Sequence, residues 1–66
     1  MKLSARNVLK GTVIEVTKGA VNAIVRIDIG GAVVSSSITI SAVEELGLKV
    51  GEEAYAVIKA SDVMIG

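Results

Sequence analysis

The chain has 66 residues, which is enough for a single small domain spanning residues 1–66. Because so short a domain buries only about 60% of its unfolded surface, it needs a further source of stability. Cysteine and histidine are absent, which excludes disulfides, thiolate or imidazole metal sites and the commonest catalytic nucleophiles and bases. We therefore expect a binding protein with no catalytic residues and no metal site, and not an enzyme.

Apolar residues make up 52% of the chain, whereas the formal net charge is +0 and Tyr55 is the sole aromatic residue. One small barrel cannot cover this much apolar surface, so self-association is predicted. A neutral chain with one aromatic side chain lacks the basic surface and stacking platforms of a nucleic-acid-binding protein. The polar start and the lack of a membrane-length apolar run predict a cytoplasmic protein without a membrane partner.

The first half of the chain predicts three strands. A long first strand covers residues 3–17, with Gly11 as a bulge or bend. The parts of this strand on either side of Gly11 can count as two strands of a barrel. Strict alternation of apolar residues marks the second strand at residues 21–29. The Gly30-Gly31 pair that follows is a hairpin signal, and it leads into a third strand at residues 32–40.

The second half predicts a short helix and a last strand. Ser41 and Glu44 have the spacing of a capping box, which places the helix at residues 42–46 with Gly47 as its left-handed end. The last strand covers residues 53–60, and a turn at Ser61-Asp62 follows it. This order predicts an all-β fold, a five-stranded OB-fold barrel with one short helix before the last strand.

Two polar clusters at opposite ends of the chain carry hydrogen-bond donors. One is Ser4-Ala5-Arg6-Asn7, and the other is Lys59-Ala60-Ser61. Their charged groups are cations without a carboxylate inside either cluster, a donor set that suits a fully deprotonated tetrahedral oxyanion. From spacing alone, the alternative is that both cations are solvated residues at strand ends.

Four motifs together resemble the molbindin family, which comprises small molybdate-binding proteins and the related C-terminal domains of molybdate-responsive regulators and molybdate-transport ATPases. They cover the chain in the right order: Ser4-Ala5-Arg6-Asn7, Lys18-Gly19-Ala20-Val21-Asn22-Ala23, Ser41-Ala42-Val43-Glu44-Glu45-Leu46-Gly47-Leu48 and Lys59-Ala60-Ser61-Asp62-Val63-Met64-Ile65. The resemblance implies a homohexamer of barrels with exchanged strands. It also implies storage or homeostasis of molybdate, with tungstate as a substitute ligand, held at subunit interfaces without catalysis or a covalent cofactor.

The resemblance also implies which residues bind the oxyanion. One kind of site would be lined by Ser4, Ala5, Arg6, Lys59, Ala60 and Ser61, with a possible backbone contact from Thr39 or Ile40 of a neighbouring chain. A second kind would be lined by the backbone of Gly19, Ala20, Val21 and Asn22. Asn7 is interpreted as a structural hydrogen-bonding residue, and Asn22 is equally compatible with a purely structural role in the turn.

Two other functions remain open from the sequence. The first is a nucleic-acid-binding barrel, which would reveal itself by a salt-dependent gel shift with single-stranded DNA or RNA. The second is a transcription-factor-like oligomerisation module, which the Glu45–Glu52 segment suggests only loosely. The neutral charge argues against both, since each would need a basic surface facing nucleic acid.

Overall fold

The computed structural model describes residues 5–66 and shows an all-β fold with one short helix. In chain order, the elements are β1 (Asn7–Lys18), β2 (Asn22–Asp28), β3 (Val33–Thr39), α1 (Ile40–Leu46), β4 (Glu53–Ile58) and a 3-10 turn (Ala60–Asp62). The strands form one antiparallel sheet in the order β3-β2-β1-β4. The predicted all-β class, with a helix before the last strand, is confirmed.

β1 is long because it pairs with two different strands in turn. From Asn7 to Thr12 it pairs with β4, and from Thr12 to Lys18 it pairs with β2. The first strand therefore pairs along both of its edges, but it forms one strand of a four-stranded sheet. The bulge, however, lies between Val13 and Glu15 and not at Gly11.

Gly11 has a different structural role, which is to let β2 approach the backbone of β1. A Cβ atom at this position would lie 2.4 Å from the Asp28 carbonyl oxygen and 2.6 Å from Cγ2 of Ile27. Both distances are far below van der Waals contact, so the crossing of the two strands requires glycine. Gly11 thus stands next to the position at which β1 changes partner.

Within residues 5–66 the sheet has four strands, and its edge strands β3 and β4 do not pair with each other. The sheet curls into a half-barrel with an open seam between these edges. A groove of about 670 Å³ runs along the seam, and most of its lining is apolar: Val25, Ile27, Val34, Ile38, Ala54 and Ala56. A closed five-stranded barrel therefore remains a prediction.

The core is small and lies on the concave face of the sheet beneath α1. Its buried residues are all apolar: Val13, Ala23, Val25, Ile27, Val43, Ala54 and Ala56. The alternation predicted for the second strand is confirmed at Ala23, Val25 and Ile27. β2 is shorter than predicted because Val21 belongs to the preceding turn, where it is 70% exposed.

Glycines end two elements as predicted. Gly30 and Gly31 both have φ +87°, and the Ile29 N–H donates to the Ala32 carbonyl oxygen at 3.0 Å across this hairpin. Gly47 has φ +63° and ends α1, and the next N–H, that of Leu48, donates to the carbonyl of Val43. These left-handed conformations favour glycine because it lacks a Cβ atom.

The predicted start of the helix is wrong. α1 begins at Ile40, and its N-cap is Thr39, whose Oγ1 accepts a hydrogen bond from the Ala42 N–H at 3.1 Å. Ser41 lies inside the helix, so Ser41 and Glu44 do not form a capping box. The third strand runs directly into the helix, and the last residue of β3 has the extended conformation that a cap needs. Within residues 5–66, no helix combines the length and apolar character needed to cross a bilayer.

The two possible caps can be distinguished by mutation. We expect Thr39→Ala to lower the free energy of unfolding by about 1 kcal/mol, because one N–H at the start of α1 loses its acceptor. For a domain of this size, that corresponds to a fall in Tm of roughly 4–8 °C. Ser41→Ala is the matched control and should change stability by less than about 0.5 kcal/mol. Urea unfolding at a fixed protein concentration measures both, and a larger loss for Ser41→Ala would contradict the assignment of the cap.

Candidate functional site

The start of β1 lies beside the end of β4. The final register pair joins Asn7 to Ile58, and the Asn7 side-chain amide donates to the Ile58 carbonyl oxygen at 3.2 Å. Arg6 and Lys59 follow this pair directly, one on each strand, and both are exposed. The fold therefore brings together two cations that are 53 positions apart in the sequence.

A tight turn completes this cluster. β4 ends at Ile58, two residues earlier than predicted, because the chain then enters the 3-10 turn. The Lys59 carbonyl accepts from the Asp62 N–H at 2.8 Å, which holds Ala60 and Ser61 in the turn with both residues exposed. The predicted turn at Ser61-Asp62 is confirmed. Lys59, Ala60 and Ser61 consequently lie next to the end of the β1–β4 ladder. We name Ala5, Arg6, Lys59, Ala60 and Ser61 the terminal cluster.

The cations of the terminal cluster differ from two others on the sheet. Lys10 lies 3.2 Å from the Glu53 carboxylate, whose hydrogen bond and negative charge raise the pKa of Lys10. Arg26 lies 3.6 Å from Glu15. Among residues 5–66, neither Arg6 nor Lys59 takes part in an ion pair. Positive charge at the terminal cluster is thus available to an anionic ligand.

Ala5 and Ser4 were also predicted to line this site. Ala5 is half-buried and precedes β1, so its contribution would be its backbone. Ser4 lies outside the residues that the structure describes, and its role as a ligand remains a prediction.

The second predicted cluster is the turn between β1 and β2. The Gly19 N–H donates to the Asn22 carbonyl oxygen at 2.8 Å, so the turn is closed by its own backbone. Ala20 and Val21 form its exposed tip. We name residues 19–22 the turn cluster.

Thr39 and Ile40 lie beside the turn cluster within the same chain. Thr39 is the register partner of Asn22, and the Ile40 N–H donates to the Val21 carbonyl oxygen at 2.9 Å. The turn cluster and the terminal cluster stand at opposite ends of the 12-residue β1. Thr39 and Ile40 therefore lie at the other end of β1 from the terminal cluster of the same chain.

From the sequence, Asn7 was interpreted as a structural hydrogen-bonding residue, but its hydrogen-bond partner was not identified. Its side chain shares the inward-facing alternation of β1 with Leu9, Gly11 and Val13, and Asn7 is the only polar member of that series. An amide in an apolar series is costly unless it finds a hydrogen-bond partner, and here the partner is the Ile58 carbonyl. The feature of the sequence that could have revealed this role is a polar residue at an inward-facing position of β1.

Comparison with known proteins identifies the family. The TOBE domain model matches residues 3–65. A probable molybdenum-pterin-binding protein of Haemophilus influenzae is 61% identical over 67 residues, which cover 100% of this chain and 97% of that protein. The solved structure of MopII from Clostridium pasteurianum has a TM-score of 0.89 and 51% identity, with 97% of each chain covered.

A third similar protein has been solved with an oxyanion. It is the cytoplasmic molybdate-binding protein ModG with molybdate bound, at a TM-score of 0.91 and 52% identity. The match covers 97% of this chain but 46% of ModG, so the chain spans about half of that protein. The family model covers nearly all of the residues, and the relatives carry molybdenum- or molybdate-binding names, which confirms the resemblance to the molbindins. The chain belongs to the TOBE-domain family.

Proposed function

We propose that this protein binds molybdate, and tungstate as its chemical analogue, for storage or homeostasis in the cytoplasm. The observation that carries the proposal is the position of Arg6 and Lys59 directly beyond the last register pair of the β1–β4 ladder. The similarity of this chain to proteins that are named for binding molybdenum compounds or molybdate supports the choice of ligand. The proposed activity is binding without catalysis, and the binding unit is residues 1–66.

The donor chemistry of the terminal cluster suits this ligand. Molybdate at neutral pH is a tetrahedral dianion without protons, so it only accepts hydrogen bonds. Arg6 and Lys59 supply charge and N–H donors, and Ser61 and nearby backbone amides supply neutral donors. A hydrogen bond to a charged group contributes about 1.5–3 kcal/mol, so four to six of them suffice for micromolar affinity.

The same chemistry predicts which anions are rejected. Phosphate near neutral pH carries one or two protons, and the terminal cluster has no carboxylate to accept a hydrogen bond from its O–H. The carboxylate nearest to the cluster in the sequence is that of Asp62, which directly follows Ser61. Sulfate is a proton-free dianion like molybdate but smaller, so discrimination against it would depend on the size of the pocket.

We propose further that the oxyanion is held between copies of the chain. Thr39 and Ile40 lie beside the turn cluster, at the opposite end of β1 from the terminal cluster, and we expect their contact with an oxyanion to come from a neighbouring chain. The open seam and its apolar groove provide a surface on which a segment of a second copy can complete a five-stranded barrel. A homohexamer, as the molbindin resemblance implies, is the assembly that we propose.

The ligand that we propose is the bare oxyanion and not a pterin conjugate. A pterin is a planar heterocycle with many hydrogen-bonding atoms, so its pocket needs converging polar groups among apolar walls. Among residues 5–66, no polar side chain is buried, and the mostly apolar groove along the seam is the surface that we propose for a second copy of the chain. The terminal cluster, in contrast, presents exposed donors that match a small anion.

Titration with sodium molybdate tests the proposed function. Isothermal calorimetry at neutral pH should give micromolar or tighter binding, with tungstate similar and phosphate much weaker. Native mass spectrometry of the same samples should show a hexamer whose mass increases by whole numbers of oxyanions. Because a ligand shared between subunits stabilises their assembly, molybdate should also raise the Tm. The absence of heat, of added mass and of a Tm shift would reject the proposal.

A further inference from the structure

Asn7 connects β1 to β4 at the last step of their ladder. Its amide Nδ2 donates to the carbonyl oxygen of Ile58, which is also its register partner. Asn7 is half-buried, whereas the next residue outward on each strand, Arg6 or Lys59, is exposed. The side-chain bond therefore reinforces the sheet at the point where backbone pairing stops and the terminal cluster begins.

The end of a ladder is where strands open most easily, since the last pair has neighbours on one side only. Opening there would change the separation between the backbones that carry Arg6 and Lys59. A cross-strand bond from a short, two-torsion side chain limits that motion without adding charge. An aspartate would have the same shape, but it would lose the donor and place a negative charge beside the cations.

We propose that Asn7 is a positioning residue for the oxyanion site, an inference that rests on the proposed function. It does not contact the oxyanion. Its bond to the Ile58 carbonyl fixes the spacing of Arg6 and Lys59, so that both cations reach the same tetrahedral ligand. Affinity for the oxyanion, more than stability of the fold, is the property that Asn7 controls.

A double-mutant cycle tests whether Asn7 acts through its neighbours. Calorimetric titration with molybdate is carried out on the parent, Asn7→Ala, Arg6→Lys and the double variant. We expect Asn7→Ala to weaken binding about tenfold to a hundredfold in the parent. In the Arg6→Lys background the loss should fall below about threefold, because a flexible ammonium depends less on backbone position.

The control is Val13→Ala, since Val13 is 0% exposed and distant from the terminal cluster. It should lower the Tm at least as much as Asn7→Ala does and leave molybdate affinity within about twofold of the parent. Asn7→Asp, which keeps the side-chain shape, should lose affinity at least as strongly as Asn7→Ala. Circular dichroism verifies that each variant is folded at the titration temperature.

The possible results separate the two proposals. A parent protein that gives no heat with molybdate overturns the proposed function and this inference with it. A parent that binds, together with Asn7→Ala within twofold of it, overturns the positioning role alone. If Asn7→Ala reduces molybdate affinity by the same factor in the parent and Arg6→Lys backgrounds, the positioning role is also overturned, because a purely structural effect would be independent of the cation.

Discussion

Arg6→Ala is expected to bind molybdate at least about a hundredfold more weakly than the parent protein. A guanidinium can give an oxyanion two parallel charge-assisted hydrogen bonds, each contributing about 1.5–3 kcal/mol. The loss of both amounts to about 3 kcal/mol or more, and every 1.4 kcal/mol is a factor of ten in affinity. Isothermal calorimetry at neutral pH and constant ionic strength measures the change.

Arg26→Ala is the matched control because it removes the same side chain and the same charge from the middle of the sheet. Its ion pair with Glu15 is exposed, with side chains 42% and 44% accessible, and such pairs contribute little to stability. At physiological salt, a charge further away than about 8 Å is largely screened, so Arg26→Ala should bind molybdate nearly as well as the parent. Equal losses in both variants would show that only net charge matters and would remove Arg6 from the site.

Gly11→Ala is expected to lower the free energy of unfolding by about 3 kcal/mol or more, the largest effect on stability that we predict for adding one methyl group. The new Cβ would lie 2.4 Å from the Asp28 carbonyl oxygen, and a backbone atom in a paired strand cannot move aside as a flexible side chain can. Overpacking of this kind commonly costs 1–3 kcal/mol and at times more. Because small domains have only a few kcal/mol of stability, much of the variant should be unfolded at 37 °C.

Gly30→Ala separates the effect of space from that of backbone conformation. Nothing lies within 4 Å of a Cβ atom at Gly30, but its φ is +87°, so alanine there pays a conformational cost of roughly 1–2 kcal/mol. Urea unfolding of both variants at one protein concentration gives the comparison. A Gly11→Ala protein as stable as Gly30→Ala would mean that β1 and β2 separate easily at this crossing.

Local signals in the sequence predict the fold well where one residue decides the geometry. The left-handed conformations of Gly30, Gly31 and Gly47 follow from the residue type, and the buried face of β2 follows from its alternation. The N-cap was misplaced because Ser41 has the capping-box spacing, whereas Thr39 becomes the cap only where β3 ends. That end is set by the contact of the Ile40 N–H with Val21, which is not a local signal.

Non-local contacts explain what the sequence left open. Gly11 was assigned to a bulge because the atoms that exclude a side chain there, on Ile27 and Asp28, belong to another strand. That Arg6 and Lys59 share a site was implied by the family resemblance, whereas their position at the same end of the sheet depends on the β1–β4 register. The task of Asn7 likewise follows only from that register. A fifth strand has no counterpart among residues 5–66, whose sheet leaves the seam between β3 and β4 open.

The adjacency of Arg6 and Lys59 has a topological consequence. Because β1 begins where β4 ends, a short linker can join these two ends of the same sheet, which is the geometric condition for circular permutation. The exposed Gly30-Gly31 turn, with open space around it, is the natural position at which a circularly permuted chain can begin. We expect a chain permuted at this turn to keep the β1–β4 ladder, because the register pairs of that ladder do not include Gly30 or Gly31.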